Sequence, residues 1–198
     1  MKKTGIGLAL FLMAAAVFVF PGSSDPQESK RMKPALLVID IQNEYLPLMD
    51  EKDKGKGMNM INAAIRMFRA HGFPIIRVYH TNPGYGPEPG TEDFEFPESV
   101  KIEPDDPKIV KNFPNAFKKT ELDNMLREQG VNTVFLCGLS AVGCVLATYF
   151  GALDLDYNAF MLKDHLISHD SYYTDSVEEI FDALGYKALI VMLANAPH

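Results

Sequence analysis

Continuous apolar runs alternate along the chain with segments whose apolar residues recur every three or four positions. The runs are typical of strands buried on both faces of a parallel sheet, and the spaced pattern is typical of helices. The predicted strands are 34–41, 73–79, 108–111, 131–139, 158–162 and 186–192, and the predicted helices are 58–70, 118–129, 141–155 and 171–183. This alternation predicts an α/β domain with a mostly parallel sheet, whose ligand crevice lies beyond the carboxyl ends of the strands.

The first residues follow a different pattern. Lys2 and Lys3 precede an apolar run over 6–20, and small residues with a proline follow it over 21–24. This order of charge, apolar core and small residues is typical of a secretory signal, and the apolar run is short for a membrane span. We therefore predict a signal peptide over 1–24, a polar linker over 25–33 and one domain over 34–198. The alternatives are an uncut N-terminal membrane anchor and a buried first helix.

Charge narrows the class of partner. The chain carries 26 acidic against 19 basic residues, which argues against nucleic acid as a ligand. The two cysteines, Cys137 and Cys144, are too few for a disulfide framework. An unpaired thiol in an exported protein is explained either by burial as a small apolar side chain or by catalysis. We expect the first for Cys137 and the second for Cys144.

Three reactive groups fall at predicted strand ends. Asp40 ends the first strand, Lys111 ends the short third strand, and Cys144 begins the helix after the strongest strand. A helix N-terminus and a neighbouring ammonium both favour a thiolate, and an aspartate within reach can accept the thiol proton. Each residue alone has an ordinary interpretation: Asp40 as a turn former, Lys111 as a surface charge and Cys144 as a core residue. Together they are only a candidate site.

Longer motifs around these residues resemble the isochorismatase-like cysteine hydrolases. The matching segments are V-I-D-I-Q-N-E-Y at 38–45, K-N-F-P-N-A-F at 111–117, the helix and strand at 122–138, and G-L-S-A-V-G-C-V at 138–145. The resemblance covers roughly 34–163 and keeps all three motifs in order. It implies a three-layer α/β/α fold with a six-stranded, mostly parallel sheet, similar to the Rossmann fold, and a homo-oligomer.

The same resemblance implies roles for individual residues. Asp40 would be the general base, Cys144 the nucleophile, and Lys111 the group that orients and charges the site. A non-proline cis peptide bond would join Leu139 to Ser140, and the N–H groups of Ser140 and Cys144 would form the oxyanion hole. Predicted substrate-binding residues are Gln42, His80, Phe113 and Phe117.

Some positions depart from the family pattern. Ala141 stands where the family often has threonine or asparagine, and Gly143 is smaller than the usual neighbour. His80 has no Asp-x-His companion of the kind that nicotinamidases of this family use for a metal, so we expect neither a metal nor another cofactor. His80 either lines the pocket or caps its strand. His165 and His169 are expected in a surface loop, and the alternative is that they face the site or a neighbouring subunit. Phe94 and Phe96 lie in the long irregular segment 81–107. Two interpretations remain open for them: stacking on a substrate, or packing in the core or a lid.

These observations predict an exported enzyme, periplasmic or extracellular, that acts on a small molecule. The expected reaction is hydrolysis of a C–N bond in an amide, carbamoyl compound or ureide through a thioester at Cys144. One alternative is vinyl-ether hydrolysis of the isochorismatase type, which uses the aspartate and lysine without a thiol. Others are a catalytically silent binding protein on the same fold, and a redox role for Cys137 and Cys144, whose spacing is not C-x-x-C.

Overall fold

The computed structural model describes residues 31–197, which form a five-stranded parallel sheet with helices around it. The strand order is β3-β2-β1-β4-β5. The strands are β1 (Pro34–Ile39), β2 (Ile75–His80), β3 (Lys108–Lys111), β4 (Thr133–Leu139) and β5 (Asn158–Ile167). The predicted α/β fold with a parallel sheet is therefore confirmed, with five strands in place of six.

Within the described part of the chain, five α-helices connect or flank these strands. They are α1 (Glu51–Ala70), α2 (Leu122–Glu128), α3 (Leu146–Asp154), α4 (Ser171–Ile180) and α5 (Tyr186–Ala194). The N-terminus of α1 is fixed by Asp50, whose carboxylate accepts from the backbone N–H groups of Lys52 and Asp53. Such a cap satisfies N–H groups that have no partner inside the helix.

The central strands explain why the apolar runs of the sequence are continuous. Every residue of β1 and of β4 is buried, because both faces of the sheet are covered. Alternate residues of β1 belong to two separate cores. Leu36 and Val38 pack on the side of α1 and α5, and Leu37 and Ile39 pack on the side of α2 and α3.

The predicted sixth strand over 186–192 is wrong, because this segment is helix α5. Only Leu184 reaches the sheet, through a single bridge to Leu162 of β5. Gly185 then begins the helix, in which Leu189 and Leu193 are fully buried, whereas Val191 is 62% exposed. A short apolar run fits a strand and a helix equally well, and burial at a spacing of four residues decides for the helix.

Two other predicted elements differ in detail. The helix expected over 141–155 begins with a π-type turn over Ala141–Val145, where Gly143 has φ −116° and ψ −108°, and only then continues as α3. The strand expected over 158–162 extends to Ile167 and contains His165. The expectation that His165 lies in a surface loop is therefore wrong, because its side chain is fully buried and stacks on Tyr186. His169 is exposed beyond the strand, as expected.

The long segment 81–107 contains no helix or strand but is packed against the sheet. Phe94 and Phe96 are buried and stack on Tyr79 of β2, with ring centroids 5.0 and 4.3 Å away. Backbone bonds from Asn43 to Glu95 and from Glu44 to Asp93 tie the segment to the loop after β1. Phe94 and Phe96 therefore belong to the core.

The end of the predicted linker is attached to the domain. The backbone of Lys33 and the carbonyl of Arg31 are hydrogen-bonded to the side chain of Asn132. The predicted signal peptide over 1–24 lies outside the described residues, as do residues 25–30 of the linker. Among residues 31–197, no helix has the length and apolarity that crossing a membrane requires.

Candidate active site

The register of the sheet brings three polar side chains to one edge. Ile39 of β1 pairs with Val78 of β2, and His80 at the end of β2 pairs with Lys111 at the end of β3. Asp40 follows β1 directly, donates its N–H to the carbonyl of Val78 (2.8 Å) and has a φ of 53°. The predicted site residues Asp40, His80 and Lys111 therefore meet beyond the carboxyl ends of neighbouring strands.

A buried ion pair forms the base of this site. Lys111 Nζ lies 2.7 Å from Asp40 Oδ2 and 2.9 Å from His80 Nδ1. Asp40 is 3% exposed and Lys111 is 1% exposed. At this burial a lone charge would be strongly unfavourable, so each residue requires the other. Lys111 is therefore a structural and electrostatic part of the site and not a surface charge.

Cys144 reaches the same site from the other side of β1. At the end of β4 the chain passes through Gly138, which has a φ of +115°, and then through a cis peptide bond between Leu139 and Ser140, as the family resemblance implied. The π-type turn then presents Cys144, whose sulfur lies within 4.8 Å of a carboxylate oxygen of Asp40 and a ring nitrogen of His80. Cys137, in contrast, is fully buried in β4 and donates to the carbonyl of Leu37.

Burial governs the proton affinities in the site. It raises the pKa of the Asp40 carboxyl, against the opposing charge of Lys111. It also raises the pKa of the Cys144 thiol to about 12, and the negative charge of Asp40 adds to this effect. The expectation of a thiol pKa lowered by Lys111 and a helix N-terminus is therefore not met. The thiol keeps its proton at neutral pH, beside a carboxylate that has become a stronger base.

His80 is electrically neutral in this environment. Burial and the adjacent Lys111 ammonium lower the pKa of its imidazole to about 4. Its backbone is held by Gln42, whose side-chain amide donates to the His80 carbonyl (3.0 Å) and accepts from the His80 N–H (2.7 Å). Gln42 is fully buried, so its contact is with the strand end and not with a ligand.

A cavity of about 190 Å³ opens above the reactive groups. Its lining residues are Asp40, Tyr45, Met49, His80, Leu139, Ser140, Gly143 and Cys144. Drug-sized ligands occupy pockets of roughly 300–1,000 Å³. The cavity therefore suits a smaller molecule, held over Cys144 and Asp40 by mainly apolar walls.

Three predicted substrate-binding residues do not line this cavity. Gln42 is the backbone clamp described above. Phe117 is buried in the second core and stacks on Tyr157, with ring centroids 5.6 Å apart. Phe113 packs under the ammonium groups of Lys118 and Lys119. Phe113 and Phe117 thus match the family motif because they pack around the segment that carries Lys111.

Sequence reasoning missed three residues that shape the site. Tyr45 and Met49 line the cavity from the loop after β1, and only their position a few residues beyond Asp40 could have indicated this. Gly138 is required because a Cβ there would overlap the backbone carbonyl of Ile39, next to Asp40. The glycine in L-C-G-L was the available signal.

The donor set of Asp40, His80 and Cys144 includes atom types that also bind zinc. In this site the cation is Lys111, whose ammonium donates to both Asp40 and His80. A divalent ion bound to the same three groups would face that ammonium at close range. The positive charge in this site is therefore the ammonium group of Lys111.

Comparisons with known proteins show the family of the chain. The model of the isochorismatase domain matches residues 34–186. The isochorismatase family protein YddQ of Bacillus subtilis is 35% identical over 138 residues, covering 67% of this chain and 77% of that protein. The ureidoacrylate amidohydrolase RutB of Pseudomonas savastanoi pv. phaseolicola is 26% identical over 178 residues, covering 69% of this chain and 73% of that protein.

A solved structure shows the same likeness in three dimensions. The N-carbamoylsarcosine amidase of Thermoplasma acidophilum superposes with a TM-score of 0.67 at 27% identity, covering 78% of this chain and 95% of that one. The fold is an α/β domain built on a parallel sheet, and the family match makes the chain a hydrolase of the isochorismatase type. The chain belongs to the isochorismatase family.

Proposed function

We propose that this protein is an exported cysteine hydrolase that cleaves a C–N bond in a small amide, carbamoyl compound or ureide. The observation that carries this proposal is the convergence of Cys144 and the Asp40–Lys111 ion pair on one small cavity. A nucleophile next to a buried base is the arrangement that acyl transfer needs. Two relatives, named as an amidohydrolase and an amidase, support the same chemistry.

The first step is attack by the Cys144 sulfur on the substrate carbonyl. Because the thiol pKa is raised to about 12, the thiol proton passes to Asp40 as the S–C bond forms. The carbonyl π electrons move onto oxygen and create a tetrahedral oxyanion. The raised proton affinity of Asp40 favours this transfer, and Lys111 stabilises the carboxylate before and after it.

The second step expels the amine. The oxyanion is held by the backbone N–H groups of Ser140 and Cys144, two residues that line the cavity. When the carbonyl re-forms, the C–N bond breaks and Asp40 returns its proton to the leaving nitrogen. A thioester remains on Cys144, and water attacks it while Asp40 takes the water proton. Release of the acid returns that proton to the thiolate.

The position of Cys144 favours this reaction over vinyl-ether hydrolysis. Vinyl-ether cleavage needs an acid and an orienting cation, and the thiol takes no part in it. Here the Cys144 sulfur lines the cavity beside Asp40. The thiol is therefore placed where a substrate carbonyl would meet it.

The enzymatic part is tested by turnover of a panel of small primary amides, N-carbamoyl amines and ureides, with ammonia release as the readout. We expect Cys144→Ala to lower kcat by at least about a thousandfold and Asp40→Asn by roughly 10²–10⁴-fold. Cys137→Ser is the matched control, because Cys137 lies in the core. Turnover by Cys144→Ala at the rate of the parent would exclude the covalent mechanism.

The export part is tested separately by expressing the full chain and determining the N-terminus of the product. Cleavage after Ser24 predicts a mature protein that begins at Asp25 in the periplasmic or extracellular fraction. Lys2→Glu with Lys3→Glu should retain the protein in the cytoplasm, because the positive n-region of the signal is lost. A product that keeps Met1 in the cytoplasmic fraction would contradict export.

A further inference from the structure

The proton on the His80 imidazole is assigned by its neighbour. Lys111 Nζ contacts His80 Nδ1 at 2.9 Å and Asp40 Oδ2 at 2.7 Å. An ammonium has three N–H donors and no lone pair, so it can only donate to Nδ1. A neutral ring whose Nδ1 accepts must carry its proton on Nε2. Lys111 therefore fixes the tautomer of His80.

The ring is also held in place. Both backbone polar groups of His80 are bound by the buried side chain of Gln42. The ring packs edge-on against Tyr45, with centroids 6.1 Å apart. A donor on such a ring loses little freedom when it binds an acceptor, which increases its value for recognition.

Nε2 of His80 is the nitrogen left for a ligand. His80 lines the cavity, and within residues 31–197 no hydrogen-bond partner is found for Nε2. The charges around the ring are Asp40 and Lys111, which are paired with each other, and the titratable groups Cys144 and Tyr45 also face it. Among the cavity-lining residues Asp40 alone is charged, because the His80 imidazole is neutral.

We propose that His80 is a specificity-determining residue, whose Nε2–H donates to a second carbonyl of the substrate, and that the cavity selects small neutral ureides or diamides over anions. This rests on the proposed function as an amide hydrolase. A carboxylate in the cavity would approach Asp40 and find no free cation, because Lys111 is committed to Asp40 and His80. A neutral carbonyl satisfies the Nε2–H donor without that repulsion.

The tautomer is tested directly by NMR of protein labelled with ¹⁵N-histidine, in which His80→Asn identifies the His80 signals among the five histidines. We expect a neutral Nε2–H ring throughout pH 5.5–8, because the pKa of His80 is lowered to about 4. A charged ring in this range, or a neutral Nδ1–H ring, would overturn the proposal. This measurement requires no substrate.

Selectivity is tested by calorimetric binding to Cys144→Ala protein, which cannot turn over a ligand. The probes are three ligands of nearly equal shape: N-carbamoylglycinamide with a second neutral carbonyl, N-carbamoylglycine with a carboxylate, and isobutylurea with neither. We expect the glycinamide compound to bind better than the carboxylate. The contribution of the second carbonyl is the affinity ratio between the glycinamide compound and isobutylurea.

Two substitutions separate the donor from a structural role of His80. In Cys144→Ala protein, His80→Asn keeps an acceptor near the position of Nδ1 for Lys111 but removes the Nε2 donor. His80→Gln places an amide donor near the position of Nε2 instead. We expect His80→Asn to lower the affinity ratio by about three- to tenfold, the worth of one hydrogen bond, and His80→Gln to preserve most of it.

An unchanged ratio in His80→Asn would overturn the proposal, as would tighter binding of the carboxylate or no binding of the glycinamide compound. Thermal unfolding of each variant establishes that the protein is folded. Binding and tautomer are both measured without catalysis. The substrate selectivity proposed here can therefore fail while amide turnover succeeds, and the reverse result is equally visible.

Discussion

Lys111 Nζ lies 2.7 Å from Asp40 Oδ2, and both side chains are almost completely removed from solvent. The two residues are 71 positions apart in the chain and meet because β1, β2 and β3 are adjacent and parallel. This pair joins the stability of the fold to the chemistry of the site. Its removal should therefore affect both.

Lys111→Met should destabilise the protein by about 3–5 kcal/mol, because it leaves Asp40 buried without its counter-ion. The Lys111 charge lowers the pKa of Asp40, so its loss raises that pKa further. A larger share of Asp40 is then protonated at any given pH, and the remaining activity should move to higher pH. Urea unfolding and a pH–rate profile measure the two effects.

Lys163→Met is the matched control for Lys111→Met, because Lys163 is an exposed residue on an outer strand. Its free energy of unfolding should change by less than about 0.5 kcal/mol. The double variant Asp40→Asn with Lys111→Met should recover part of the lost stability, since no unpaired charge remains. Equal stability of the Lys111 and Lys163 variants would contradict a structural role for the pair.

Alkylation of Cys144 by iodoacetamide should lack a low-pH plateau. Because the thiol pKa is raised to about 12, the thiolate fraction and the rate should rise about tenfold per pH unit between pH 7 and 10. Asp40→Asn should speed labelling near pH 8, because the carboxylate charge that raises the thiol pKa is gone. Peptide mapping separates Cys144 from the buried Cys137. A plateau at neutral pH in the parent protein would mean a thiolate already formed.

Gly138→Ala should be severely destabilising, by more than about 3 kcal/mol, because a Cβ would overlap the Ile39 carbonyl and the φ of +115° is strained for alanine. Folded protein that remains should lose activity, since Ile39 precedes Asp40. Gly55→Ala in α1 is the control. Nothing lies within 4 Å of a Cβ there, so this change should add roughly 0.5–1 kcal/mol of stability. Similar unfolding midpoints for the two variants would show that the close approach at Gly138 is not needed.

Glu178 should make stability fall as pH rises. Burial raises its pKa from 4.5 to about 7 in the folded protein, so between these values the folded state binds more protons than the unfolded state. The stabilisation is complete below about pH 4.5 and is lost by pH 7. Glu178→Gln should remove about 1–3 kcal/mol of this dependence, as measured by denaturant unfolding at pH 5 and pH 8. Its exposed neighbour Glu179 provides the control Glu179→Gln, and the same loss in both variants would refute the assignment.

The sequence allowed prediction of those features that depend on local pattern. The apolar runs of β1 and β4 indicated strands buried on both faces, and strand ends located Asp40 and Lys111. The sequence pattern did not predict elements whose type is decided by tertiary packing. The apolar run of α5 fits a strand or a helix, and the burial of Leu189 and Leu193 in the core selects the helix. The proton affinity of Cys144 also could not be predicted, because it depends on burial and on the Asp40 charge.

Asp40 belongs to the buried ion pair, whereas Tyr45 and Met49 only line the cavity, and this separation affects how the substrate range can be altered by mutation. Asp40 and Lys111 lie at strand ends held by the sheet, and Cys144 lies in the turn after β4. Tyr45 and Met49 line the cavity from a separate loop that ends at the Asp50 cap of α1. Substitutions in that loop reshape the cavity without moving the ion pair. A library of variants at Tyr45 and Met49 should therefore contain proteins that accept different substrates, while Asp40, Lys111 and Cys144 keep their positions in every variant.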